Sequence, residues 1–89
     1  MKVRFSIQYH TVWGESLTLD LGGRRLPMNW GADSVWSVED DVKASELLDY
    51  QYYVMRDGLI WRTEWEHHCR KVDGRRRSIA IEDVWIDCP

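Results

Sequence analysis

The stretch Leu48-Asp49-Tyr50-Gln51-Tyr52-Tyr53-Val54-Met55-Arg56-Asp57-Gly58-Leu59-Ile60-Trp61-Arg62-Thr63-Glu64-Trp65 reads as two strands joined by one turn. Its first half is rich in Tyr and Val, whose aromatic or branched side chains fit the pleated surface of a sheet. Asp57-Gly58 suits the two positive φ angles of a type I′ hairpin, so Leu59 to Trp65 should return antiparallel. A two-residue turn pairs Arg56 with Leu59 and, counting back, Tyr50 with Trp65, leaving Gln51 opposite Glu64 on the other face. Trp65 and Gln51 then come together only if a bulge or the strand end shifts the register.

Working outward, Val3, Phe5, Ile7 and Tyr9 alternate with polar residues, the period-2 pattern of a strand with one buried face. Gly14 breaks that pattern. Leu17, Leu19 and Leu21 form a second strand that ends at Gly22-Gly23, and Gly22 to Asp33, with Pro27 and three glycines, reads as loop. Trp36 and Val38 mark a third strand that Val42 can extend. Val38 to Leu48 carries acidic residues without a 3.6-residue apolar stripe, so it reads as strand end plus loop rather than helix. A second Asp-Gly turn, Asp73-Gly74, separates Cys69 to Val72 from Ser78 to Ile81, and a last strand or strand end runs through Val84, Trp85 and Ile86. The expectation is an all-β, immunoglobulin-like antiparallel β-sandwich of six to seven short strands. Residues 1–89 make a single domain, with Phe5, Ile7, Leu19, Trp36, Tyr52, Trp61 and Ile81 among its core. Trp85 joins Trp36 and Trp61 as a strand tryptophan assigned to the core, whereas Trp13 and Trp30 sit in turns.

Six Trp and four Tyr stand against a single Phe, a bias that suits core filling and half-exposed binding surfaces alike. The net charge of −3 argues against nucleic acid as a partner, because phosphate binding is carried by an excess of clustered Lys and Arg. Arg75-Arg76-Arg77 reads as a solvated edge guarded against aggregation. The alternating N-terminus lacks the apolar run of a signal peptide and no later segment is long enough to span a bilayer, so no membrane partner and a cytoplasmic location are the expectations.

Little in the sequence points to catalysis. His67, His68 and Cys69 are adjacent, but in extended chain neighbours face opposite ways, so at most His67 and Cys69 converge, too few ligands for a metal. The histidines read as an exposed loop pair. Cys69 has no motif of an activated nucleophile, and a Cys69–Cys88 disulfide stays open. The carboxylates Glu15, Asp20, Glu39, Asp40, Asp41, Glu46, Asp49, Glu64, Glu66, Glu82 and Asp83 read as charged faces outside the sheets. A glycosidase pair among them would need a deep cleft that this length does not supply. No cofactor or metal is expected.

Three motifs in order are more informative: Thr11-Val12-Trp13-Gly14-Glu15, then Asp49-Tyr50-Gln51-Tyr52, then Thr63-Glu64-Trp65-Glu66 followed by Arg70. Together they resemble the family 20 carbohydrate-binding (starch-binding) modules. In that family a Thr-x-aromatic-Gly-Glu turn joins the first strands, an x-Tyr-Lys-Phe-like strand follows, and Trp-Glu leads to Asn-Arg. The resemblance runs from Val3 to about Asp87 and looks closest to modules preceding the catalytic barrel of 4-α-glucanotransferases of the amylomaltase and disproportionating-enzyme type. It implies two glucan-contacting regions: Trp65 as a stacking platform with Glu66, Arg70 and, at the family's Lys position, Gln51; and Trp13 with Glu15 in the first turn. The sequence departs from the pattern where Gly22-Gly23-Arg24-Arg25-Leu26 replaces the Leu-Gly-x-Trp segment that supplies a second platform, and where Cys69 replaces Asn. The Trp65 region is thereby weakened relative to Trp13.

The implied function is non-catalytic binding of α-glucan (starch, glycogen or maltooligosaccharide), with the chain as the N-terminal part of a 4-α-glucanotransferase and its downstream catalytic domain as a partner. The alternative is a degenerate β-sandwich interaction domain that packs on the catalytic domain without binding sugar. By itself the chain is expected not to be an enzyme.

Overall fold

The computed structural model describes residues 1–43 and 47–89. Residues 44–46, including Glu46 and the middle of the acidic connection, lie outside the described residues. The strands in chain order are β1 (Lys2–Gln8), β2 (Glu15–Leu21), β3 (Arg24–Pro27), β4 (Asn29–Trp30), β5 (Val35–Asp41), β6 (Leu47–Arg56), β7 (Leu59–Thr63), β8 (His68–Lys71) and β9 (Ser78–Asp83). One turn of 3₁₀ helix at Ala32–Ser34 is the sole helical piece among the described residues, and no helix there is long and apolar enough to cross a membrane.

Two sheets form a β-sandwich, one ordered β4-β5-β1-β9 and the other β3-β2-β6-β7 with β8 also on β6. The alternation decides which residues lie between them. Val3, Phe5 and Ile7 of β1 face Leu17, Leu19 and Leu21 of β2 and Leu48, Tyr50, Tyr52 and Val54 of β6 within one buried cluster, joined by Trp36 and Ile81. Most of the expected core is therefore buried. Trp61 is the exception, at 58% exposed on the edge strand β7, with the Arg56 guanidinium 5.1 Å above its ring. Trp85 is partly buried against the core.

Three further departures have local causes. The segment Gly22 to Asp33 is not loop: Gly22-Gly23, both at positive φ, turn β2 tightly into β3 with Leu21 opposite Arg24, and β4 follows against β5. Both are short edge strands, β3 bearing Arg and Pro and β4 only two residues long, which hides the alternation that marks a half-buried strand. The Asp73 turn carries the chain from one sheet to the other, because β8 pairs β6 whereas β9 pairs β1. That β1–β9 pairing is parallel, the one parallel pair among the described residues. Strand β9 ends at Asp83, so Val84 to Ile86 is extended chain without strand pairing.

Candidate functional site

The Asp57-Gly58 turn forms as expected, with φ of 52° and 77° and Arg56 opposite Leu59. Two residues later the register shifts: Met55 pairs Ile60, but Val54 pairs Arg62 and Tyr53 pairs Thr63, so Trp61 is the extra residue of a bulge. The ladder ends at Tyr53 and Thr63, so Gln51 reaches the Trp65 segment through its side chain and not through strand pairing. The Gln51 amide Nε2 donates to the Glu64 carbonyl oxygen at 2.8 Å, directly before Trp65. Trp65 itself is 59% exposed.

Strands β7 and β8 both lie along the same edge of β6, one on each half of that ten-residue strand. Between them the chain leaves the ladder over Glu64 to His67, and the β6 backbone there would lack partners. Glu64 fills the gap. Its carboxylate accepts from the Tyr52 backbone N–H (Oε1, 2.9 Å) and from the Ile86 backbone N–H (Oε2, 2.8 Å), while the Trp65 N–H donates to the Ile86 carbonyl at 2.9 Å. The segment that carries Trp65 is thus tied to β6 and to the C-terminal segment.

Contrary to the expectation that every carboxylate lies outside the sheets, Glu64 and Asp83 are buried, at 2% and 7% exposure. Nor is His68 half of an exposed pair: its side chain is only 10% exposed, whereas His67 is solvated and contacts Asp49. The His68 ring stacks on Tyr50 at 5.1 Å, with Nε2 2.8 Å from Glu64 Oε2 and Nδ1 3.6 Å from Asp83 Oδ1. Asp83 Oδ2 accepts from the hydroxyls of Tyr50 and Tyr52, each at 2.8 Å, and Asp83 Oδ1 accepts from Arg70 Nη2 at 3.0 Å. Arg70 Nε also donates to the Tyr50 hydroxyl at 3.1 Å. Arg70 therefore has two donors directed inward and only part of its surface towards solvent.

Burial, reinforced by Asp83, pushes both tyrosine hydroxyls well above their ordinary range, so they act as fixed donors. Burial opposes charge on His68, but its hydrogen bond to Glu64 and the nearby charge of Asp83 outweigh that and raise its pKa. No group of residues able to hold a metal ion occurs among the described residues, and Cys69 and Cys88 are free, exposed thiols.

The Thr11–Glu15 turn forms a second region. The Val12 N–H donates to Glu15 Oε1 at 2.9 Å and the Glu15 N–H to the Val12 carbonyl at 3.1 Å, so Glu15 staples the turn that presents Trp13. Trp13 is fully exposed. It lines a groove of about 410 Å³ with Trp30, which is 64% exposed, and the buried Trp36, which pairs Trp30 across β4 and β5. The Trp36 indole N–H is buried and has no acceptor within the protein, the one such side-chain group among the described residues. Sequence reasoning missed Trp30 here because only tertiary folding brings it beside Trp13.

No family model matches the chain, and no curated protein matches it. Among solved structures it is similar to the Glycoside Hydrolase Family 15 glucoamylase from Hypocrea jecorina, with a TM-score of 0.85, 17% identity, and coverage of 97% of this chain and 17% of that one. It is similar also to the glucoamylase of Hormoconis resinae (TM-score 0.80, 22% identity, 98% of this chain, 17% of that chain). A third is the γ-CGTase of alkalophilic Bacillus clarkii (TM-score 0.79, 19% identity, 96% of this chain, 15% of that chain). At these identities the likeness shows a shared fold. The chain spans only 15–17% of the length of those neighbours.

Proposed function

We propose that this domain is a non-catalytic α-glucan-binding module of the family 20 type, which holds a starch-acting enzyme, in our reading a 4-α-glucanotransferase, on its polymer. The observation that carries this reading is the Trp13–Trp30 groove, which two exposed indoles line together. A pyranose ring covers an indole with its apolar face, while its hydroxyls stay free for polar neighbours and water. If one indole face loses about 50 Å² to the sugar, it contributes about 1.2 kcal/mol at ~25 cal/mol per Å². The order of motifs along the chain and the fold shared with part of two glucoamylases and a γ-CGTase support the same reading.

Trp65 is the second contact, with Gln51 holding the chain beneath it and Glu66 exposed beside it. The alternative, an interaction domain without sugar, is favoured by Leu59, Ile60 and Trp61, which leave β7 an exposed apolar edge. Co-sedimentation with insoluble starch tests the choice. The glucan reading expects the purified domain in the pellet and its release by soluble maltooligosaccharide. Retention of all the protein in the supernatant at millimolar glucose equivalents favours the interaction domain.

A further inference from the structure

His68 lies between two carboxylates that belong to different layers of the fold: Glu64, at the break between β7 and β8, and Asp83, at the end of β9. Both ring nitrogens face an oxygen, Nε2 towards Glu64 and Nδ1 towards Asp83. A neutral imidazole has one N–H and one lone pair, so it can donate to only one of them and must aim its lone pair at the other. Only the imidazolium suits both. The remaining groups around the ring are the hydroxyls of Tyr50 and Tyr52 on β6 and the guanidinium of Arg70 on β8. With Arg70 and a protonated His68 the cluster holds two cations against two carboxylates; without the proton one carboxylate is uncompensated.

Glu64 immediately precedes Trp65, and its Oε2 is shared between His68 and the Ile86 N–H whose residue also accepts from the Trp65 backbone. We infer that His68 is a positioning residue for Trp65, and that its protonation makes the glucan contact at Trp65 sensitive to pH while leaving the Trp13 groove unaffected. This rests on the α-glucan reading above. The Thr11–Glu15 turn has its own staple and shares no hydrogen bond with the His68 cluster among the contacts described. Loss of the proton leaves Nε2–H bonded to Glu64 but removes the charge that strengthens that bond and sets the Nδ1 lone pair against Asp83; one of the two anchors at Oε2 weakens, the Trp65–Ile86 link loosens and the indole leaves the orientation that a glucose ring needs. Tight binding at Trp65 therefore belongs to the acid side of the His68 titration and weakens above it.

The test uses the intact chain in two measurements. In the first, ¹H–¹⁵N spectra without ligand are recorded between about pH 5 and pH 9, the range in which histidine titrates. The indole N–H of Trp65 should move with the midpoint of His68, and this movement should vanish in His68→Gln, which keeps a side-chain donor but cannot titrate. A Trp65 signal that is stationary through the His68 midpoint, or that moves alike in His68→Gln, overturns the proposal whether or not sugar binds. In the second, β-cyclodextrin is titrated into the Trp13→Ala variant, which isolates the Trp65 contact. Affinity is expected to fall about fivefold from the acid to the alkaline end, the lower range of typical coupling between sites, and to stay level when His68→Gln is added. Equal pH dependence with and without His68 overturns the proposal. Loss of cyclodextrin binding at every pH in Trp13→Ala, with the spectral coupling intact, instead removes the glucan contact at Trp65 and upholds the positioning of that residue by His68.

Discussion

Trp13 is exposed on both faces of its indole, yet the turn that carries it is stapled at both ends by Glu15. The staple fixes the backbone beneath the ring and both faces of the indole are open to a sugar, which is why we assign it the greater share of glucan affinity. Trp13→Ala should weaken β-cyclodextrin binding several-fold to about tenfold, Trp65→Ala by less, because one indole face is worth about 1 kcal/mol. Titration calorimetry on both variants checks the ranking, and unchanged binding by folded Trp13→Ala contradicts it. Trp36 gives a control. Trp36→Phe removes a buried donor that has no acceptor in the protein. Stability should change by under about 1 kcal/mol, because removing an unpaired buried donor offsets part of the lost packing, and β-cyclodextrin affinity should stay within about twofold, because that N–H is closed to a ligand. Asp83 is the reverse case. It receives the hydroxyls of Tyr50 and Tyr52 and the Arg70 guanidinium inside the sandwich. Asp83→Ala should cost about 2–4 kcal/mol in urea unfolding, because it leaves two buried tyrosine hydroxyls without their acceptor, while the half-exposed Arg70 turns to water. At this scale the sequence was only partly legible. His67 and His68 are equivalent in local pattern, and Glu64 looks like any surface acid; which of them is buried depends on register.

That register is decided by two elements, the Asp57-Gly58 turn and the bulge at Trp61 four residues before Trp65. The turn is written in the sequence, since few dipeptides accept two positive φ angles. Gly58→Ala meets no atom within 4 Å but must adopt φ +77°, so it should destabilise the domain by about 1 kcal/mol without changing the denaturant slope. The bulge is not written there: Ile60, Trp61 and Arg62 each suit either face of a solvated edge strand, and it is the pairing with β6 that turns Trp61 outward. The break between β7 and β8 carries a pH signature of its own. His68 has a raised pKa in the fold, so its contribution to stability is fully present below the unfolded value of about 6.5 and is lost as pH rises through the folded value. The thermal midpoint should therefore decline on going from mildly acidic to alkaline buffer, and His68→Gln should flatten that decline. A midpoint that rises over the same range in the parent chain alone contradicts this sign.

Across the whole molecule, the sandwich was legible because one face of β1, β2 and β6 is buried against the facing sheet, and a buried face imposes alternation on the sequence. Strand partners were not legible, since the same alternation serves a parallel or an antiparallel neighbour; the β1–β9 pair and the crossing from β8 to β9 followed only from the structure. The exposed aromatics divide in the same way. Trp13 could be read from its turn, whereas its meeting with Trp30 required β4 to fold back beside β5. Under the proposed function, Trp13 and Trp65, on different strand connections, would serve a parent enzyme as two weak attachments that gain from being linked. The measurement that bears most directly on the central claim is calorimetric titration of β-cyclodextrin into the parent chain and into the folded double variant Trp13→Ala/Trp65→Ala. The account predicts saturable binding by the parent with a Kd of roughly 10 µM to 1 mM and none detectable for the double variant. No binding by the folded parent, or equal binding by both proteins, would contradict it.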